Sequence, residues 1–220
     1  MSDKIKICDL FDKIPTHLRL FFEKRTYPWE LIPDIKEYIA RLLSSGIDGY
    51  EMTEDGILMG KDVTVSPLST IVGPAIIGDG CEIRPGAYIR GNVIIGKGCV
   101  IGNSSEIKNS VLLDNATIPH YNYIGDSILG CYAHMGAGAI ASNLKADKSN
   151  ITVRGAHSYD TGLRKLGAII GDHAEIGCGC ILNPGTIIGK RSSVYPLTSV
   201  RGVIPEDTIV KGQNDIIKKR

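Results

Sequence analysis

The feature that most constrains this chain is an aliphatic residue that returns at every sixth position from Met59 to Leu113. A mostly small residue stands four positions after each of them. The aliphatic positions are Met59, Val65, Ile71, Ile77, Ile83, Ile89, Ile95, Ile101, Ile107 and Leu113. A period of six fits neither the turn of an α-helix nor the uninterrupted alternation of a strand. It predicts an all-β solenoid, a parallel β-helix in which three six-residue faces make one coil.

Positions eighteen residues apart should then stack in columns along the solenoid. One inward column is expected to hold Met59, Ile77, Ile95 and Leu113, and an adjoining column of small side chains Val63, Cys81, Cys99 and Thr117. The same spacing aligns Arg84, Gly102 and His120 on one face of three successive coils. With about 4.8 Å between neighbouring strands, Arg84 and His120 would lie about 10 Å apart.

The register falters after Leu113, because Pro119 takes the next sixth position and the ladder resumes out of phase at Tyr123. We therefore divide the chain into four parts. They are an N-terminal helical segment and linker over residues 1–58, the β-helix over 59–210, a projecting loop or hairpin at about 144–168 inside it, and a basic tail over 211–220. Within the first part, Pro28 suits a first helical turn and Gly46 a C-cap.

Composition excludes several classes of function. The 220 residues carry a net charge of only +1, which gives no electrostatic argument for binding nucleic acid or a membrane surface. No apolar run is long enough to span a bilayer, and the N-terminus lacks a signal-peptide core, so we expect a cytoplasmic protein. Cys81, Cys99 and Cys180 fall on inward positions, and Cys178 with Cys180 lacks a second pair of ligands, so we expect no metal site.

Four strings in one order carry a family resemblance: RPGA from Arg84, EIK from Glu106, HYNYIGD from His120 and GAGAIASN from Gly136. Over about residues 59–210 the chain resembles the acetyltransferase half of the bifunctional glucosamine-1-phosphate acetyltransferase/uridyltransferase family. The resemblance implies a left-handed β-helix and a homotrimer that binds acetyl-CoA between subunits. The first 58 residues lack that family's Gly-rich phosphate loop, so we expect no nucleotidyl transfer by this chain.

The acetyl acceptor in such a reaction is an amine, and its proton must be removed as the new bond forms. Histidine, with an ordinary pKa of about 6.5, suits that task. The resemblance implies that His120 is this base, that Asn143 lies near the amine, and that the backbone N–H of Ala137 faces the thioester, where it would stabilise an oxyanion. It also implies that Tyr123 contacts the sugar phosphate. Arg84 and Lys108 are the expected phosphate ligands.

Other site residues are assigned from their positions relative to the family's motifs. Around several of these positions the chain departs from the best-known members. We expect acetyl-CoA to contact Gly136, Ala137, Cys178, Pro196 and Lys211. His134 replaces an asparagine beside the sugar, so glucosamine-1-phosphate and galactosamine-1-phosphate both stay open as acceptors. The loop after Asn143 is longer, as in archaeal-type sugar-1-phosphate nucleotidyltransferase/acetyltransferases. Lys148 is the nearest match to the family's loop lysine, and Arg164 and Lys165 are the other phosphate candidates. The family arginine at the CoA phosphates has no clear match, and Lys211, Lys218, Lys219 and Arg220 are the candidate substitutes.

Three other functions are compatible with a β-helix. A γ-type carbonic anhydrase would need three histidines converging on a metal, and the five histidines here lack the short paired spacing of that site. A non-catalytic scaffold could bind a separate nucleotidyltransferase through the N-terminal helices, but it would not need Arg84, Lys108, His120 and Asn143 together. An acetyltransferase acting on a nucleotide-linked amino sugar is the third alternative.

Overall fold

The computed structural model describes residues 3–212 and 215–219. The chain forms a left-handed parallel β-helix of about nine turns with a small helical segment before it, which confirms the solenoid that the six-residue period predicts. Three sheets, here called I, II and III, form the three faces of the helix. Within these sheets the strands are parallel except for one antiparallel pair at each end of the solenoid, β1 with β2 and β26 with β27 in the strand order below.

The strands in chain order are β1 (Glu51–Met52), β2 (Ile57–Met59), β3 (Thr64–Val65), β4 (Thr70–Ile71), β5 (Ala75–Ile77), β6 (Glu82–Ile83), β7 (Tyr88–Ile89), β8 (Val93–Ile95), β9 (Val100–Asn103), β10 (Glu106–Lys108), β11 (Ser110–Leu112), β12 (Thr117–His120), β13 (Tyr123–Gly125), β14 (Ile128–Leu129), β15 (His134–Met135), β16 (Ile140–Ala141), β17 (Thr152–Arg154), β18 (Ser158–Asp160), β19 (Ala168–Ile170), β20 (Glu175–Ile176), β21 (Ile181–Leu182), β22 (Thr186–Ile188), β23 (Ser193–Val194), β24 (Ser199–Val200), β25 (Val203–Ile204), β26 (Thr208–Gly212) and β27 (Asp215–Lys218). Sheet I holds β1, β2, β5, β8, β11, β14, β19, β22 and β25; sheet II holds β3, β6, β9, β12, β15, β20, β23, β26 and β27; and sheet III holds β4, β7, β10, β13, β16, β21 and β24.

The interior of the solenoid is filled by one aliphatic side chain from each face of each coil, with Ala and Cys at the narrow corners. Cys81, Cys99 and Cys180 are buried there as thiols, in line with the inward positions expected for them. Two predicted inward residues are wrong. Leu112, not Leu113, pairs with Ile95 and continues the inward column. Ala116, not Thr117, occupies the small position above Cys99.

Two shortened corners explain this shift. Tyr88 pairs with Glu106, eighteen residues on, but Val93 pairs with Ser110, only seventeen on. Only Asn109 lies between Lys108 and Ser110 at this corner, where the coil below has Gly91 and Asn92, and the corner at Asp126 keeps the shorter length. Asn109 and Asp126 adopt positive φ angles, 44° and 50°. Asn and Asp enter that conformation more readily than other residues with a side chain, so they close the tighter corners.

The N-terminal segment packs on the outward face of sheet I. It contains the α-helices α1 (Ile7–Leu10), α2 (Arg19–Glu23) and α3 (Ile35–Ser45) and two 3₁₀-helices, Thr16–Leu18 and Pro28–Asp34. Gly46 ends α3 with a φ of 75°, as the sequence predicts. The apolar faces of these helices, with Ile151, Val153 and Leu166 of the insertion, bury one outward residue from successive strands of sheet I: Leu58, Ile76, Ile94, Val111, Ile128, Ile169 and Ile187. In the part of the chain that the structure describes, no helix is long and apolar enough to cross a membrane.

A long insertion interrupts the solenoid between β16 and β19. Ile128 pairs with Ile169, forty-one residues on, so this coil carries more than twenty residues beyond the usual length. The insertion contains the antiparallel hairpin β17–β18. The carboxylate of Asp3 accepts hydrogen bonds from the backbone N–H groups of Ala156 and His157 and from the hydroxyl of Tyr159. The hairpin is thereby held against the N-terminal segment.

Candidate functional site

Four of the predicted site residues lie along one edge of the solenoid, where sheet II turns into sheet III. At this edge, which we call the His120 edge, each coil donates a backbone N–H to the carbonyl of the coil below. Gly138 donates to His120, Gly179 to Ala137 and Leu197 to Cys178, at 2.8 to 2.9 Å. His120, Ala137 and Cys178 therefore follow one another on successive coils, about 4.8 Å apart. Pro196 comes next, directly before Leu197.

His120 ends β12 at this edge and is exposed to solvent. Its imidazole forms no hydrogen bond with another group of residues 3–212 or 215–219, whereas its backbone N–H donates to Oδ1 of Asn122 at 3.1 Å. The Asn122 side chain is almost completely buried, with 2% exposure, and its Nδ2 donates to the carbonyls of Gly136 (2.8 Å) and Ala139 (3.2 Å). One buried amide thus links the backbone of His120 to the turn that carries Ala137.

Asn122 is a residue that the sequence reasoning missed. It lies inside the HYNYIGD string, whose histidine and tyrosine were assigned and whose asparagine was not. A polar residue next to a register break was the available signal, because a buried amide at a tight turn must satisfy several backbone groups. Ser105 completes the arrangement, since its hydroxyl accepts from the Asn122 N–H at 3.2 Å and donates to the carbonyl of Ile118 at 3.0 Å.

The Ala137 turn presents a backbone donor to solvent. Ala137 is exposed, and its N–H has no acceptor among the residues that the structure describes. Gly136 is buried directly before it, and a Cβ there would come within 2.7 Å of the backbone nitrogen of Cys178. Only glycine lets the two coils stack this closely. The turn therefore leaves this N–H free of any acceptor in the described part of the chain, and stabilisation of an oxyanion requires a free donor of this kind.

A second cluster lies on sheet III, at the corner opposite the His120 edge. The carboxylate of Asp126 is buried and accepts from Nδ2 of Asn109 at 2.8 Å and from Nδ2 of Asn143 at 2.5 Å. Nζ of Lys108 lies 3.9 Å away. Asn143 Nδ2 also contacts the Tyr123 hydroxyl at 3.3 Å. The structure thus brings Lys108, Tyr123 and Asn143 together around an aspartate that the sequence analysis did not select.

Tyr123 points outward in this cluster. Its position on the predicted aliphatic ladder is wrong, because Ile124 faces the interior instead. The hydroxyl lies against Gly125, where a Cβ would meet it at 2.6 Å. Burial, followed by the nearby carboxylates of Glu106 and Asp126, raises the pKa of Tyr123, so the phenol stays protonated and can donate a hydrogen bond.

Arg84 is not aligned with His120. Gly102 stacks on Pro119 and Asn103 pairs with His120, because the coil between them has seventeen residues and not eighteen. The guanidinium of Arg84 binds both carboxylate oxygens of Glu82 at 3.0 Å. Arg84 follows a strand of sheet II and Lys108 ends a strand of sheet III, so the two expected phosphate ligands lie on different faces of the solenoid.

The remaining predicted residues lie around these two groups. Nδ1 of His134, on sheet II, is 2.7 Å from the Thr117 hydroxyl. Lys148 lies in an exposed turn of the insertion, and its N–H donates to the Lys145 carbonyl. Lys211 is exposed beside the upper end of the His120 edge, where the backbone N–H of Tyr195 donates to the carbonyl of Val210. Arg220 lies outside the described residues. Within residues 3–212 and 215–219 no three His, Cys, Asp or Glu side chains are grouped to hold a metal ion.

Part of this chain is similar to parts of longer proteins. The family model of the GMPPB C-terminal domain matches residues 71–158. The bifunctional protein GlmU of Methanococcus maripaludis is 33% identical over 111 residues, which cover 50% of this chain and 27% of that protein. A bifunctional sugar-1-phosphate nucleotidylyltransferase/acetyltransferase of Sulfurisphaera tokodaii is 35% identical over 86 residues, 39% of this chain and 21% of that protein.

The chain spans about a quarter of the length of these curated relatives. Among solved structures, the acetyltransferase domain of PglB from Neisseria gonorrhoeae matches with a TM-score of 0.39 and 20% identity, covering 84% of this chain and 67% of that one. The sequence relationships, together with the solenoid, agree with the family that the four sequence strings indicate. Over this region the β-helix is similar to the hexapeptide-repeat acetyltransferase domain of the GlmU family.

Proposed function

We propose that this chain transfers the acetyl group of acetyl-CoA to the amine of an amino-sugar 1-phosphate. The observation that carries the proposal is the His120 edge, where an exposed imidazole and an outward backbone N–H lie on successive coils. Both can contact one tetrahedral centre between them. A base and an oxyanion donor at that spacing are the two groups that acyl transfer to an amine needs.

The proposed reaction is direct. The amine nitrogen attacks the thioester carbonyl carbon while His120 accepts one of its protons. The carbonyl oxygen becomes an oxyanion that the N–H of Ala137 stabilises. Collapse of the intermediate breaks the carbon–sulfur bond, and the CoA thiolate leaves and takes up the proton from the imidazolium. Acetyl-CoA would then lie along the His120 edge toward Cys178, Pro196 and Lys211.

The acceptor would lie across sheet III, between the His120 edge and the Asp126 cluster. Asp126 with Asn143 offers both hydrogen-bond acceptors and donors for sugar hydroxyls, and Tyr123 offers a protonated phenol. Lys108 supplies positive charge for a phosphate. Within one chain, His134 and Lys148 lie outside this cluster. In the proposal they therefore contact the substrate only where two or more copies of the chain assemble.

The assay that tests this function measures CoA release from acetyl-CoA with a thiol reagent. The panel holds glucosamine-1-phosphate, galactosamine-1-phosphate, their 6-phosphates and the free amino sugars. We expect release with a 1-phosphate only, together with an N-acetyl product detected by mass spectrometry. If folded protein released no CoA with any member of the panel, the result would contradict the proposal.

We include a homotrimer in the proposal for two reasons. Arg84 and Lys108 lie on different faces, so a phosphate contacts both only where two copies of the chain meet. Three large apolar side chains also stand exposed along the His120 edge, Leu68 (74%), Tyr121 (66%) and Leu197 (85%), and exposed apolar surface of this kind marks association sites. We expect light scattering at micromolar concentration to give three times the chain mass of 23.7 kDa. A mass of one chain would rule the trimer out.

A further inference from the structure

A cationic cavity that is lined by none of the residues assigned above to acetyl transfer lies beside Asn143. Its volume is about 430 Å³, and it is lined by Lys145, Arg154, Asn183 and Arg201, with Asp147 at its rim. Lys145 and Arg154 come from the insertion, and Asn183 and Arg201 from successive coils of sheet III. Residues far apart in the chain therefore place three positive charges around one hollow, in a chain whose net charge is only +1.

These cations differ from the others at the coil corners in having no acidic partner. Arg84 binds Glu82, Arg90 binds Glu106 and Arg191 binds Asp207. Among residues 3–212 and 215–219, Arg154, Arg201 and Lys145 form no ion pair, but Nζ of Lys145 donates to the Ser149 hydroxyl (3.3 Å) and to the Asn150 carbonyl. Hydrogen bonds from Ser149, and the charge of Lys145, lower the pKa of Asp147, so its carboxylate is ionised and offsets one of the three positive charges. The lining thus keeps a net charge of +2, that is three cations less one carboxylate, which an anion can neutralise.

The backbones that carry the two arginines pack against each other, and Asn183 lies beside Arg201. Asn183 Nδ2 donates to the Ser199 hydroxyl (3.0 Å) and the Val200 carbonyl (2.9 Å), and its Oδ1 accepts from Nη2 of Arg201 at 3.5 Å. Gly202 has a φ of 83°, and a Cβ there would come within 2.5 Å of the Arg154 carbonyl. The backbone of the insertion therefore packs directly on the corner that carries Arg201.

The position of the cavity separates it from the phosphate site proposed at Lys108. Lys108, Gly125, Ser142, Asn183 and Arg201 follow one another across sheet III. Four strand spacings, about 19 Å, lie between the two ends of that row. The single phosphate of a sugar 1-phosphate cannot contact both ends, so the cavity suits a different anionic group.

We propose that Lys145, Arg154, Asn183 and Arg201 form a binding site for a diphosphate group. Two guanidinium groups and an ammonium match the charge and the several acceptor oxygens of a diphosphate. Two sources offer that chemistry: the diphosphate of CoA, and the diphosphate of a nucleotide-linked sugar. The Ala137 turn and Arg201 are separated by two strand spacings and the width of sheet III, on the order of 15 Å. An extended pantetheine arm can bridge that distance, as can the sugar and linkage of a nucleotide sugar.

Binding of inorganic pyrophosphate to the full chain, measured by titration calorimetry at low ionic strength, tests the site without turnover. We expect one saturable site per chain. Because each arginine contributes charge-assisted hydrogen bonds, Arg154→Ala/Arg201→Ala should weaken it by roughly tenfold or more. The control Arg19→Ala/Lys36→Ala removes the same charge from exposed positions on the helices and should bind as the wild type does. No saturable binding, or equal affinity in all three proteins, would overturn the proposal.

Competition then identifies the source. Displacement of pyrophosphate by both CoA and dephospho-CoA, with a raised KM for acetyl-CoA in the double variant, assigns the site to CoA. Displacement by UDP-glucosamine and not by CoA assigns it to a nucleotide-linked sugar, which would then replace the sugar 1-phosphate as the proposed acceptor. Pyrophosphate that neither displaces would be an adventitious ion only, and would overturn the functional assignment. The assignment to a substrate rests on the proposed acetyl transfer, but binding and competition need no catalysis, so the two can fail separately.

Discussion

Replacement of His120 by alanine should lower kcat/KM for acetyl transfer by roughly 10²- to 10⁴-fold, the usual contribution of a general base. Without the imidazole the amine must lose its proton to water while it attacks the thioester. The Ala137 N–H and the acceptor cluster on sheet III stay in place, so binding of acetyl-CoA should change little. Steady-state rates of CoA release, with the affinity for CoA measured separately, check the prediction.

The same substitution should leave the fold intact. The His120 side chain is exposed, and its backbone N–H can still donate to Asn122. The melting temperature should therefore stay close to that of the wild type. His173→Ala is the matched control, because His173 is also exposed but stacks on Tyr132 at the edge between sheets I and II. Full activity in His120→Ala, or an equal loss in His173→Ala, would remove His120 from the mechanism.

Replacement of Asn122 by alanine should destabilise the fold and impair catalysis together. The Ala139 carbonyl loses its donor, the Gly136 carbonyl keeps only the Ala139 N–H, and the His120 N–H loses its acceptor. Buried groups left without a partner cost about 1–3 kcal/mol each, so we expect the free energy of unfolding to fall by about 3 kcal/mol. Urea denaturation with an unchanged m-value measures this loss.

Catalysis by folded Asn122→Ala should fall mainly through kcat, since the variant keeps the reacting groups but loses the link between their turns. Asn103→Ala provides the comparison for stability. Asn103 lies one coil below His120 and makes a single side-chain hydrogen bond, to the Pro85 carbonyl at 3.1 Å. Its loss should cost about 1 kcal/mol or less. Equal costs for the two variants would show that Asn122 does not connect the His120 and Ala137 turns.

The solenoid was predictable because one aliphatic residue per face repeats at a spacing that other folds do not use. The exact register between successive coils could not be predicted. Val111, Leu112 and Leu113 are all apolar, so the hydrophobic pattern accepts either leucine as the inward one. The choice is made at Asn109, whose positive φ removes one residue from the corner. Backbone conformation at a turn leaves no trace in hydrophobic periodicity, and the predicted alignment of Arg84 with His120 failed for that reason.

The site was predictable only in part. His120, Tyr123 and Asn143 could be named because they lie in strings with a family resemblance. Asn122 and Asp126 act through hydrogen bonds to groups on other coils, and these partners become visible only when the coils are stacked. The proximity of Arg154 and Arg201 could not be predicted from the sequence, because an insertion of irregular backbone brings them together.

Burial of sheet I on both faces has a consequence for how the chain folds. A solenoid alone can grow coil by coil, each added turn resting on its predecessor. Here the stripe from Leu58 to Ile187 is covered only when the helices between Ile5 and Ile39, together with Ile151, Val153 and Leu166 of the insertion, lie on it. The stripe crosses seven strands, so the helices make contacts that no single coil can satisfy. Assembly of the first and last coils is thereby coupled, and the chain should unfold in one cooperative step rather than fray from an end.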